Sequence, residues 1–114
     1  MTRPSELERL ILLALARLGA DDAYGVPVRD EIARHTGREP SLAAVYAALG
    51  RLEESGLVTS WASDPEPRRG GRARKHFRLR PPGVTALREA RGEIERMWAG
   101  VDLSSLTEET AGGP

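Results

Sequence analysis

Residues Arg68 to Arg80 carry seven cationic side chains and no acid: Arg68, Arg69, Arg72, Arg74, Lys75, Arg78 and Arg80. The whole chain is formally neutral, with seventeen basic and seventeen acidic residues, so positive charge is gathered in this run and the remainder is acidic. The chemistry open to such a run is polyanion binding, because guanidinium and ammonium groups neutralise phosphates and release their counterions whatever the net charge. Arg and Lys near a hairpin tip can reach phosphates or enter an adjacent minor groove, which singles out Arg72, Arg74 and Lys75. A merely solvated loop would mix signs. Arg68 and Arg69 flank the turn, and Gly70 with Gly71 lets the backbone turn tightly there.

Other chemistries find little support. His35 and His76 are the only histidines, they are far apart, and there is no cysteine, so no metal site or cofactor is expected. The acidic pairs Asp21-Asp22, Asp30-Glu31 and Glu53-Glu54 fall on caps or exposed helix faces, and no Ser-His-Asp set or phosphate-cradling glycine loop is present. Catalysis is not expected. No apolar run approaches the roughly 20 residues of a membrane span, and the N-terminus lacks a secretory pattern, so a cytoplasmic location with no membrane partner is expected. At 114 residues the chain suits a single core.

The elements that must position the cationic run are well signalled. Ser5 and Glu8 form a capping-box pair, and Leu7, Leu10, Ile11, Ala14, Leu15 and Leu18 recur at helical spacing up to a stop at Gly19. Leu13 widens that apolar face beyond one stripe. A second helix runs to about Thr36 with Pro27 in its first turn, Val28, Ile32 and Ala33 inward and Gly37 as its stop. Ser41 caps a third helix through Ser55, built on Val45, Leu49 and Leu52 and closed by Gly56. Leu57 to Ala62 and Ala73 to Leu79 read as two strands of a hairpin whose loop is the cationic run. Pro81-Pro82-Gly83 leads to a fourth helix, about Val84 to Val101, with an acidic Ser/Thr/Gly tail beyond. The fold class is mainly α with a small β-hairpin: a winged helix-turn-helix over 1–80, a C-terminal helix over 81–103 and a flexible tail over 104–114.

In such a fold the third helix enters the major groove. Its expected outward positions, Ala43, Ala44, Ala47, Ala48 and Gly50, offer no bidentate bonds to base edges but permit deep seating and contact with thymine methyls. Ser41 can donate to a phosphate or base, and Tyr46 either faces DNA or packs its ring on helix two with a wet hydroxyl. Arg51 either meets a phosphate or pairs with Glu54 or Asp30. On the last helix, Ile94, Met97, Trp98 and Val101 form an apolar stripe suited to core or dimer packing. Trp61 reads as packing under the hairpin.

Three stretches together resemble the PadR family of bacterial transcriptional regulators. Tyr24-Gly25 opens the second helix. Ser41 to Val58 is similar to the family's Ser-x-x-x-Val-Tyr-x-x-Leu-x-Arg-Leu-Glu-x-x-Gly-Leu pattern through Val45, Tyr46, Leu49, Arg51, Leu52, Glu53, Gly56 and Leu57. Gly71 to Leu79 is similar to its Gly-Arg-x-Arg-Lys-Tyr-Tyr-x-Leu wing, with Gly83 and Leu87 continuing it. His76 and Phe77 stand where the pattern has a tyrosine pair, which removes any phenolic bond to phosphate there. Arg80-Pro81-Pro82 replaces a capping Thr. The resemblance implies a homodimeric repressor of pseudo-palindromic double-stranded DNA. It implies contacts from Ser41, Ala43, Ala44, Tyr46, Arg51, Arg72, Arg74 and Lys75. Helices one and four would form a seam through Leu10, Ile94, Met97 and Trp98, which could admit a small aromatic effector. The alternative, favoured by neutral charge and the alanine-rich third helix, is a winged helix used for protein assembly without sequence-specific DNA binding.

Overall fold

The computed structural model of the chain describes residues 3–63 and 74–106. In chain order it contains α1 (Glu6–Arg17), a 3-10 turn (Ala20–Asp22), α2 (Gly25–Thr36), α3 (Leu42–Glu54), β1 (Val58–Ala62), β2 (Lys75–Leu79) and α4 (Pro81–Trp98).

Local signals fix most of the boundaries. Ser5 Oγ accepts from the Glu8 amide at 3.2 Å while the Glu8 carboxylate accepts from the Ser5 amide at 2.8 Å, so two N-terminal donors of α1 are satisfied reciprocally. Ser41 Oγ caps α3 by accepting from the Ala44 amide at 3.0 Å. Gly37 and Gly56 follow α2 and α3 at φ of 75° and 79°, a left-handed conformation that side chains disfavour. Gly19 is different. The chain leaves α1 at Leu18 in extended backbone, and Gly19 has φ −75°, so no left-handed stop operates there.

The core forms where α1, α2 and α3 meet under the hairpin. α1 contributes Ile11, Leu12, Ala14 and Leu15, α2 Val28 and Ile32, and α3 Val45, Ala48, Leu49 and Leu52, closed by Val58 and Phe77. Leu12 extends the face beyond the expected set, whereas Leu13 remains 48% exposed. Leu10, expected in a dimer seam, is half-buried against the chain's own core. Glu31 of α2, only 8% exposed, ties α2 to α1. Its carboxylate accepts from Arg17 Nε at 2.8 Å and from Arg34, with His35 Nε2 at 3.0 Å. The Arg17 bond first, then the Arg34 bond, holds this carboxyl at about 2.

β1 and β2 pair antiparallel from Val58↔Leu79 to Ala62↔Lys75, and the Ser63 amide extends the ladder to Arg74 O at 2.8 Å. The outer edge of β2 is not bare. The Phe77 amide donates to Ala23 O at 2.8 Å, which stitches the connection between α1 and α2 onto the hairpin.

α4 begins at Pro81, not near Val84 as the sequence suggested. Arg80 is its extended N-cap residue, and Pro81 and Pro82 occupy the first turn, where a missing N–H costs nothing. Arg80 Nη1 also donates to Gly56 O at 2.9 Å, tying this junction to the end of α3. Gly83 is buried against the Leu57 carbonyl, and Leu87 packs on the core. From Ile94 onward the helix is exposed. Beyond it, Asp102 Oδ1 accepts from the Ser104 amide at 3.0 Å at the start of a single helical turn. Residues 107–114 of the expected tail lie outside the described residues. Three helices, a two-stranded hairpin and an emergent fourth helix make a winged helix-turn-helix.

Candidate nucleic-acid interface

α3 presents a nearly bare outer face. Ala43 and Ala47 are exposed, Ala44 and Gly50 are half-buried, and Ser41 stands exposed at the helix entry. Ala48, expected among the outward positions, is instead fully buried: at i+3 from Val45 it falls on the core side of the helix. Ser41 Oγ accepts in the cap, and its hydroxyl retains a hydrogen that it can donate.

Tyr46 is 45% exposed and lies over the first residue of α2. A Cβ added at Gly25 would stand 2.3 Å from Tyr46 Cζ and 2.4 Å from its hydroxyl oxygen. The Tyr24-Gly25 pair therefore has a steric cause: only glycine lets the Tyr46 ring rest on that backbone. Of the two expectations for Tyr46, this placement bears on the packing one: the ring lies on α2.

Arg51 pairs with neither Glu54 nor Asp30. Its Nε donates to Glu8 Oε2 at 2.8 Å, so the capping-box acid of α1 also orients a cation on α3. Burial pushes the Glu8 carboxyl up, but the bonds from Arg51 and Ser5 outweigh it and hold it below the usual carboxylate range. The Arg51 side chain stays 56% exposed.

The hairpin divides the cationic run. Successive side chains of a strand point to opposite faces, and Arg74 and Lys75 go separate ways. The Arg74 guanidinium sits 4.7 Å over the Tyr24 ring, Tyr24 lies 5.2 Å from His76, His76 5.3 Å from Trp61, and the Arg78 guanidinium 5.3 Å from Trp61. Three rings, inclined to one another by 52° and 31°, thus lie in a row between two arginines. His76 is 5% exposed and Phe77 is 2% exposed. The two positions that replace the tyrosine pair therefore face the interior here rather than a phosphate. His76 Nδ1 lies 2.9 Å from Ala20 O and donates to it, a bond that fixes the ring between Tyr24 and Trp61.

Lys75 takes the other face. Its Nζ lies 3.1 Å from Glu53 Oε1 on α3 and 5.6 Å over the Phe77 ring. Ser60 of β1 donates to the other oxygen of the same carboxylate. The Ser60 bond first, then the Lys75 bond, lowers the Glu53 carboxyl below its ordinary range. Sequence reasoning missed Glu53 as the organiser of this corner, since its partners lie 7 and 22 residues away. Arg72, with Arg68, Arg69, Gly70 and Gly71, lies outside the described residues.

α4 brings its apolar residues together on an open surface: Ile94 is 54%, Met97 74% and Trp98 56% exposed. Val101, Leu103 and Leu106 continue it. Among the described residues no group of His, Cys, Asp and Glu is placed to hold a metal ion, and no helix is long and apolar enough to cross a membrane.

An exposed third helix beside a cation-bearing hairpin defines the winged-helix class of regulators. Residues 12–89 match the Transcriptional regulator PadR-like family, and the chain belongs to it. It is 34% identical over 77 residues to the Transcriptional regulator Rv3488 of Mycobacterium tuberculosis, covering 68% of this chain and 67% of that protein. Among solved structures, a PadR family transcriptional regulator from Eggerthella lenta superposes with a TM-score of 0.65 at 28% identity, covering 90% of this chain and 87% of that one. A PadR family transcription regulator from Clostridium difficile gives a TM-score of 0.68 at 24% identity over 83% of this chain and 96% of that one. The chain is accordingly a transcriptional regulator and not an enzyme.

Proposed function

We propose that the chain works as a homodimeric repressor of pseudo-palindromic operator DNA in the cytoplasm. The observation that carries this reading is the outer face of α3, where Ala43, Ala44, Ala47 and Gly50 leave room for close approach to a groove between exposed Ser41 and Tyr46. Small side chains touch thymine methyls and read little by hydrogen bonding, so specificity leans on DNA shape and on the spacing of two half-sites. Arg51, Arg72 and Arg74 meet phosphates or the flanking minor groove.

The dimer forms through Ile94, Met97 and Trp98, with α1 of the second copy lying alongside. Exposure of three large apolar side chains on one helix supports this seam, because a monomer rarely leaves such a stripe in water. A planar aromatic effector bound beside Trp98 would shift the separation of the two α3 helices and release the DNA. Repression follows from occupancy of promoter DNA.

Fluorescence-anisotropy titration against the chain's own upstream DNA and a scrambled duplex, at two salt concentrations, tests the reading. Preference for the upstream duplex that persists near physiological salt is the expected result. Equal, salt-fragile binding to both would leave only an electrostatic patch. Absence of binding even at low salt would favour a protein-assembly module, the reading suggested by the alanine-rich α3 and zero net charge.

A further inference from the structure

Arg74 and Lys75 are neighbours in sequence with opposite destinations. Arg74 joins the row of rings formed by Tyr24, His76 and Trp61, while Lys75 turns toward α3. The carboxylate that receives Lys75 also accepts from Ser60, so one side chain of α3 binds both strands of the wing. Ser60 is the middle residue of β1, and Lys75 pairs with Ala62 at its far end. The two contacts therefore hold the hairpin well beyond the Ser55-Gly56-Leu57 turn that starts it. Glu53 lies in the last turn of α3, so its backbone is fixed by the helix that carries the outward alanines.

We infer that Glu53 is a positioning residue: by binding Ser60 and Lys75 at once, it sets the angle between α3 and the wing, and Lys75 serves this brace rather than a phosphate. The inference rests on the DNA-binding reading above. Its physical basis is geometric. A wing that grips the backbone while α3 lies in the groove must meet both at a fixed separation, and loss of the brace lets the hairpin rock about Gly56. Electrostatics keeps Lys75 in place, because moving it to a phosphate would leave the Glu53 carboxylate beside DNA without its cation. Sequence-independent binding depends on the count of neutralised phosphates, whereas discrimination depends on register. The brace therefore acts on discrimination.

Three variants test this: Glu53→Gln, Lys75→Met and the exchange Glu53→Lys with Lys75→Glu. Binding of the upstream and scrambled duplexes is measured over a salt series, and amide hydrogen exchange of the hairpin is measured without DNA. Both single variants are expected to narrow the ratio of specific to non-specific affinity by up to about fivefold, in keeping with a partly exposed ion pair. The slope of log affinity against log salt should stay unchanged in Lys75→Met, and the charge exchange should restore the ratio. Hairpin amides should exchange faster in the single variants while those of α1 and α2 do not. A slope flattened by about one unit in Lys75→Met would make Lys75 a phosphate contact and overturn the inference. Unchanged hairpin exchange in Glu53→Gln would overturn it independently of DNA. A wild-type chain that shows no preference between duplexes, with accelerated hairpin exchange in the variants, would refute the operator reading and leave the brace standing.

Discussion

Replacing Gly83 by Ala tests how α4 is anchored. A Cβ at this position would stand 2.3 Å from the Leu57 carbonyl oxygen, 3.3 Å from its carbon and 3.1 Å from Leu79 Cδ2. Relief needs a displacement of about 1 Å, and the obstacle is backbone that already accepts the Arg80 amide at 3.0 Å. Overpacking of this kind costs about 1–3 kcal/mol, and weakening the Arg80–Leu57 bond adds about 0.5–1.5 kcal/mol. The higher helix propensity of Ala returns at most about 1 kcal/mol. With the full return of Ala the net loss is about 0.5–3.5 kcal/mol, centred near 2, which for a domain of this size lowers the melting temperature by roughly 10 °C at the centre of that range. Gly92→Ala is the control on the same helix. There the added carbon meets only the mobile Arg96 Nη1 at 3.2 Å, so the melting temperature should hold or rise by a few degrees. Calorimetry or circular dichroism at one protein concentration compares them, since association would otherwise shift both values. If Gly83→Ala melts within about 2 °C of wild type, or moves together with Gly92→Ala, the close joint between α4 and Leu57 does not exist.

Glu31→Gln reads the α1–α2 tie through pH. The folded carboxyl sits at about 2 against an ordinary 4.5, so its stabilisation is complete above 4.5 and is lost as pH falls toward 2. The urea midpoint of the variant should lie below wild type at neutral pH and converge with it near pH 2; a gap independent of pH would refute the assignment. Arg74→Ala should weaken binding to all duplexes and flatten the salt slope by about one unit, and an unchanged slope would remove Arg74 from the interface. Met97→Glu places a charge in the exposed stripe of α4 and should give a monomer in sedimentation velocity at concentrations where wild type is dimeric. An unaltered sedimentation coefficient would locate the seam elsewhere.

Local chemistry made most of the fold legible. Capping by Ser5, Glu8 and Ser41, and left-handed termination at Gly37 and Gly56, are decided within a few residues, and they place α1 to α3 with little error. The start of α4 is harder to read, because Pro81-Pro82-Gly83 serves equally well as a lead-in or, as here, as the first turn itself. The Phe77–Ala23 bond carries no local signal, since it joins chain segments more than fifty residues apart. In the candidate interface, charge clustering located the wing but not the roles within it. Strand alternation alone would have separated Arg74 from Lys75. The partners of Lys75 and Arg51, namely Glu53 and Glu8, are set by tertiary packing. Ala48 was misplaced for a related reason: alanine carries too little hydrophobic signal to mark a core face by itself.

The buried joint at Gly83 makes α4 a lever. The helix rests on the carbonyl of Leu57, three residues after the last residue of α3, and an 18-residue helix is about 27 Å long. From Gly83 to Trp98 the arm is about 22 Å, so a rotation of about 5° at the joint would sweep the Trp98 end through about 2 Å. The Ser41 end of the 13-residue α3 stands on an arm of about 20 Å on the other side of the same joint, so it would move by a comparable distance. Half-site spacing in the proposed dimer would then follow the seam nearly one for one, and the fit around Trp98 would have to be as close as the fit at the DNA.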